Sequence, residues 1–159
     1  MRSAVAWALL LAAGLTPALG QDESPKAIVC FETQTAALRL SQLDRAIALC
    51  TVIVDDQATA PRVRSEALSQ RGLLHARRWV ALEILPEAVQ SIADITEGLR
   101  LHAPPNERRH QLLIIRAQLY MATGQTRRAY DDYQAVLSTE PGNALARAGL
   151  RRIGRPEGM

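Results

Sequence analysis

An all-α fold is predicted by three features of the sequence. Alanine, leucine and arginine are abundant while aromatic residues make up only 4% of the 159 residues, a balance that suits closely packed helices better than a sheet-based core. Leu113, Ala117 and Tyr120 recur at spacings of four and three, and Ala129 and Tyr133 lie four apart, so each set makes a stripe on one helical face. No segment alternates apolar and polar residues with the β-branched content and turn signals of a hairpin.

Met1 to Gly20 carries Arg2, an apolar run from Ala4 to Leu15, Pro17 and the small-x-small ending Ala18-Leu19-Gly20. These are the parts of a secretory signal peptide, with cleavage expected before Gln21. The run is short for a spanning helix, and no other stretch reaches that length, so no transmembrane segment is expected. The mature product is expected to be soluble in the periplasm or outside the cell. Its roughly 139 residues are enough for one domain with a modest core. Residues 21–26 form a short N-terminal extension.

Charge divides along the chain. Residues 21–99 hold 8 basic against 11 acidic side chains, and residues 100–159 hold 10 against 5. The basic half reads first as a solvated face and second as an electrostatic contact surface. Nucleic acid is an unsuitable partner for an exported chain whose arginines lack interleaved exposed aromatics.

The last helical pair is the clearest. Leu113, Ala117, Tyr120, Gly124, Ala129, Tyr133 and Pro141 follow one another in the order of a helix hairpin: small residues at 117 and 129 for close approach, tyrosines beside them, Gly124 for the reversal, Pro141 as the stop. This stretch resembles a tetratricopeptide repeat (TPR), a unit of about 34 residues built from two antiparallel helices. Arg116 and Val136 depart from the family pattern, which has an apolar and a small residue there. The resemblance implies a short right-handed solenoid of about three antiparallel hairpins plus a C-terminal capping helix, spanning residues 27–153. In that frame a degenerate unit occupies 27–60, with Ala46, Cys50 and Ile53 matching Ala129, Tyr133 and Val136. A longer unit occupies 62–105, with helices over 65–77 and 87–101 and Ser91, Ile95 and Gly98 facing inward. The best-matching unit is 110–143, the cap is 144–153, and 154–159 is a tail.

Arg78 to Pro86 makes the middle unit about seven residues longer than the family norm. Its apolar residues Trp79, Val80, Leu82, Ile84 and Leu85 read either as two extra helical turns packed on the core or as an exposed edge for a partner, with Trp79 the preferred anchor.

Cys30 and Cys50 are the only cysteines, and an even pair in an oxidising compartment favours a disulfide. In the repeat frame antiparallel helices would bring them opposite each other and pin the first hairpin.

Catalytic chemistry finds little support. His75, His102 and His110 have no companion ligand at metal spacing on one helix, and no HExxH, GxSxG, Walker or EF-hand pattern occurs. His75 reads as a packed ring in the position of Tyr120, His102 and His110 as solvated. No cofactor or metal is expected.

The resemblance implies a concave groove lined by first-helix residues: Gln111, Ile114, Gln118 and Met121 in the last unit, and Glu66, Ser69, Leu73 and Arg77 in the middle one. The expected function is therefore an exported, non-catalytic adaptor that binds a protein or peptide in the cell envelope. The alternatives are a small envelope enzyme or accessory domain, and a peripheral binder of anionic lipid or cell-wall polymer. Short solenoids leave exposed ends, so a homodimer fits as well.

Overall fold

The computed structural model describes Cys30 and residues 39–154. The expected signal peptide, the extension at 21–26, most of the first helix of the first unit and the last five residues lie outside them. The described chain is all-α: six helices, α1 Leu40–Asp55, α2 Pro61–Leu82, α3 Leu85–Leu101, α4 Asn106–Ala122, α5 Thr126–Thr139 and α6 Ala144–Ile153. No strand occurs among the described residues.

Local chemistry sets the boundaries. Pro61 opens α2 and Pro86 falls in the first turn of α3, positions where a missing N–H costs nothing. The Asn143 side chain caps α6 by accepting from the Ala146 N–H at 3.0 Å. Gly124 turns the chain between α4 and α5 with φ +75°, a left-handed conformation that suits glycine.

Successive helices run antiparallel. The start of α2 meets the end of α3 where the Ser65 hydroxyl donates to the Gly98 carbonyl (2.7 Å), and the end of α2 meets the start of α3 where His75 faces Glu87 (2.6 Å). Likewise the start of α4 meets the end of α5 through His110 and Thr139 (2.7 Å).

Three buried positions recur on alternate helices at i, i+4 and i+7: Ala46, Cys50 and Ile53 on α1, Ser91, Ile95 and Gly98 on α3, and Ala129, Tyr133 and Val136 on α5. The first set packs with Leu43, Ala67 and Leu74, the last with Leu113, Ala117 and Ala146, and Ile95 joins Leu73, Leu112 and Leu119 between them. Cys30 and Cys50 are joined in a disulfide with Cα atoms 5.1 Å apart, as the cysteine count leads one to expect.

A polar ladder repeats alongside this core. Arg71 on α2 donates through Nε and Nη2 to Asp94 on α3 (both 2.8 Å) and through Nη1 to the Thr51 hydroxyl on α1 (3.2 Å). Arg116 on α4 does the same one unit later, to Asp132 on α5 (2.9 and 2.7 Å) and to Thr96 on α3 (3.0 Å). Each arginine thus ties its own hairpin together and holds it to the helix before. The Asp94 bond is the main influence holding the Arg71 guanidinium above its ordinary range. For Arg116, burial pulls the other way but is outweighed by Asp132.

Arg116 stands where the family pattern has an apolar residue, and a bidentate carboxylate partner accommodates its charge inside the seam. Val136 is also fully buried within the C-terminal cluster, so the larger side chain fills space there. In the middle unit the extra residues extend α2 to Leu82, and α3 begins at Leu85. The extra turns are helix, and they also expose apolar side chains.

Candidate functional site

Three helices, α2, α4 and α6, border two adjoining hollows. The first, of about 490 Å³, has Leu73, Ala76 and Trp79 on its α2 side and Ile115 and Leu119 on its α4 side. The second, of about 430 Å³, lies between α4 and the α5–α6 junction, where Ile114 faces Glu140, Asn143 and Leu145. Gln111, Ile115 and Gln118 border both hollows, so the two form one groove crossing α4.

The groove is positioned by contacts beneath it. Trp79 and Ile115 pack on the middle core cluster, while Leu73 and Leu119 belong to it. Arg108 bridges α4 to α2 by donating to Gln70 (3.1 Å) and to Gln111 within α4 (2.9 Å). Burial lowers the Arg108 pKa from its ordinary value. The Gln111 oxygen is therefore engaged, leaving its NH₂ to donate outward. Gln118 is exposed.

The expected groove residues separate. Gln111, Ile114 and Gln118, with Leu73, Arg77 and Trp79, line the groove. Met121 does not; it packs against the C-terminal core cluster, because its place near the end of α4 carries it past the second hollow. Glu66 and Ser69 border a separate hollow with Arg62, His102 and Arg108. Ile115, Leu119, Ala76 and Val80 are groove residues that sequence reading omitted. The i+4 spacing of Ile115 from Gln111, and of Leu119 from Ile115, was the available signal.

Of the histidines, His110 departs from expectation. His102 is exposed, as expected. His75, its side chain 13% exposed, is packed as expected, but its Nδ1 also meets Glu87 (2.6 Å), whose other oxygen lies 3.3 Å from Arg78. His110, read as solvated, has a side chain only 12% exposed. Its Nδ1 meets Glu140 (3.0 Å) and its Nε2 meets the Thr139 hydroxyl (2.7 Å) at the edge of the second hollow. The correction follows from the antiparallel hairpin, which lays residue 110 beside residues 139 and 140. Thr139 in turn donates to the Val136 carbonyl at 3.2 Å. The ring thereby bridges α4 and the end of α5 through both of its nitrogens.

No group of three or more His, Cys, Asp or Glu side chains able to hold a metal occurs among the described residues. No helix among them is long and apolar enough to cross a membrane. No protein-family model, curated protein or solved structure matches this chain.

Proposed function

We propose that the chain is an exported, non-catalytic, TPR-like adaptor whose groove along α2, α4 and α6 binds a peptide segment of a protein in the cell envelope. The observation that carries this reading is the continuity of the two hollows across Gln111, Ile115 and Gln118. Apolar floors take side chains of the bound segment, and the amides exchange hydrogen bonds with its backbone. The repeated Thr–Arg–Asp ladder supports the solenoid reading, because it relates successive units by the same three contacts.

The test is selection of a random peptide library on the disulfide-intact mature chain, followed by titration of the labelled peptide obtained. Gln111→Ala with Gln118→Ala, two exposed positions, is expected to weaken binding by about ten-fold. Arg100→Ala, outside the groove, is expected to leave it unchanged. Failure to enrich any peptide, or equal binding by all variants, would end this reading. Salt-sensitive pelleting with anionic vesicles instead would move the function to the basic C-terminal half.

A further inference from the structure

We propose that the hollow between the N-terminal halves of α2 and α4, beside the α3–α4 connection, is a binding site for the phosphate head of a small ligand. The hollow, of about 340 Å³, has Arg62, Glu66 and Ser69 on its α2 side, Arg108 on its α4 side and His102 on the connection. This site stands or falls independently of the groove.

Two side chains there have bonding capacity that the fold leaves unused. Arg108 is half-buried, yet its two partners, Gln70 (3.1 Å) and Gln111 (2.9 Å), are neutral amides. Those bonds leave further N–H groups on the guanidinium to spare. Glu66 acts on this cation only at longer range, and no carboxylate bonds to it among the described residues. The ladder arginines differ, since Asp94 and Asp132 neutralise them directly. Buried charges are ordinarily paired, because desolvating a lone one is costly. Ser69, in turn, is 5% exposed, and its hydroxyl makes no hydrogen bond among the described residues. Ser65, one turn earlier, is occupied: its hydroxyl meets the Gly98 and His102 carbonyls at 2.7 and 3.2 Å. A ligand oxygen that accepts from Ser69 and Arg108 together satisfies both.

The backbone adds to the same charge. Both helices begin at this end, and their N-cap residues, Ala60 and Pro105, provide no side-chain cap. The positive ends of two helix dipoles are left without that compensation. The first turn of α2 holds no acidic residue, and the one in α4, Glu107, borders the second hollow of the groove instead. Donors thus come from two helices and surround the hollow rather than forming one edge, which suits a tetrahedral phosphate better than a planar carboxylate. Glu66, exposed on the rim, is the only carboxylate among the bordering residues and opposes the anion.

Calorimetric titration of inorganic phosphate into the disulfide-intact chain, at ionic strength held constant with sodium chloride, tests the site. One phosphate per chain is expected, with a dissociation constant of about 1 mM or below. Arg108→Gln is expected to raise that constant at least about ten-fold, and Ser69→Ala about three-fold. Should Arg108→Gln lose its helical circular dichroism, the exposed Arg62→Gln carries the same test, with a loss of about five-fold expected. Glu66→Gln is expected to tighten binding about two-fold, a sign that lost structure does not produce. Arg109→Gln, outside the hollow, is expected to change nothing. Glycerol 3-phosphate and phosphatidic acid vesicles are then competed against phosphate. Displacement by the first makes the source a small phosphorylated molecule, displacement by the vesicles alone makes it a lipid headgroup, and either upholds the site. No saturable uptake of phosphate, unchanged binding in Arg108→Gln or Arg62→Gln, weaker binding in Glu66→Gln, equal competition by acetate, or displacement by neither competitor would each overturn the proposal.

Discussion

Replacing Asp94 with alanine tests whether the ladder is structural. Asp94 is 3% exposed and accepts two bonds from Arg71 at 2.8 Å and one from Gln90 at 3.0 Å. Its removal leaves a guanidinium, itself 13% exposed, with only the Thr51 hydroxyl among its ladder partners. Breaking a buried pair from one side costs about 3–5 kcal/mol, because the surviving charge stays desolvated. Against a total stability of about 5–15 kcal/mol for a domain, that is a large share. Urea unfolding followed by far-ultraviolet circular dichroism measures the loss. The double substitution Arg71→Met with Asp94→Leu removes both charges and is expected to recover most of it. A loss below about 1 kcal/mol in the single variant would refute the reasoning, since that is the worth of a solvent-exposed pair.

Three further outcomes are expected. Gly98→Ala places a methyl 2.7 Å from the Ser69 hydroxyl and 3.0 Å from the Ser65 carbonyl. The serine can rotate but the carbonyl cannot, so overpacking of about 1–3 kcal/mol is expected to exceed the helix-propensity gain of about 1 kcal/mol and lower the urea midpoint. Reducing the Cys30–Cys50 bridge, whose partners are 20 residues apart, is expected to cost about 3 kcal/mol on the loop-entropy scale, read as the difference between unfolding with and without reductant. Burial raises the Tyr133 pKa above its ordinary value of 10.0, so the fold favours the neutral phenol. Its contribution to stability is fully present below pH about 10 and is lost as pH rises through its folded pKa. Absorbance at alkaline pH is expected to show a late tyrosine contribution that Tyr133→Phe removes.

The all-α class, the helix at 144–153 and the buried i, i+4, i+7 stripes are legible because apolar spacing alone reports which helical face is buried. The cysteine pair is legible because so few pairings exist. The ladder is not, since a charged residue looks like surface until its partner is known. Here the partner lies 23 residues away in one unit and 16 in the next. The signal was nonetheless present: Thr51 precedes Arg71, and Thr96 precedes Arg116, by the same 20 positions. His110 escaped for a similar reason, as its carboxylate is reached only across the hairpin. Of the groove, the α4 glutamines were named from the repeat resemblance, whereas Ile115 and Val80 line a hollow that forms only between two helices.

The unequal spans between ladder partners carry a consequence for how such a chain can change. The unit holding Arg71 and Asp94 has seven more residues between its partners than the unit holding Arg116 and Asp132, yet the same atoms meet in both. The added length is accommodated beyond the rung, at the far tip of the hairpin, where it disturbs neither the ladder nor the stripes beneath it. Hairpin tips are thus where this architecture accepts insertion. Surfaces made there, such as residues 80–89, are free to diverge without renegotiating the scaffold that carries them.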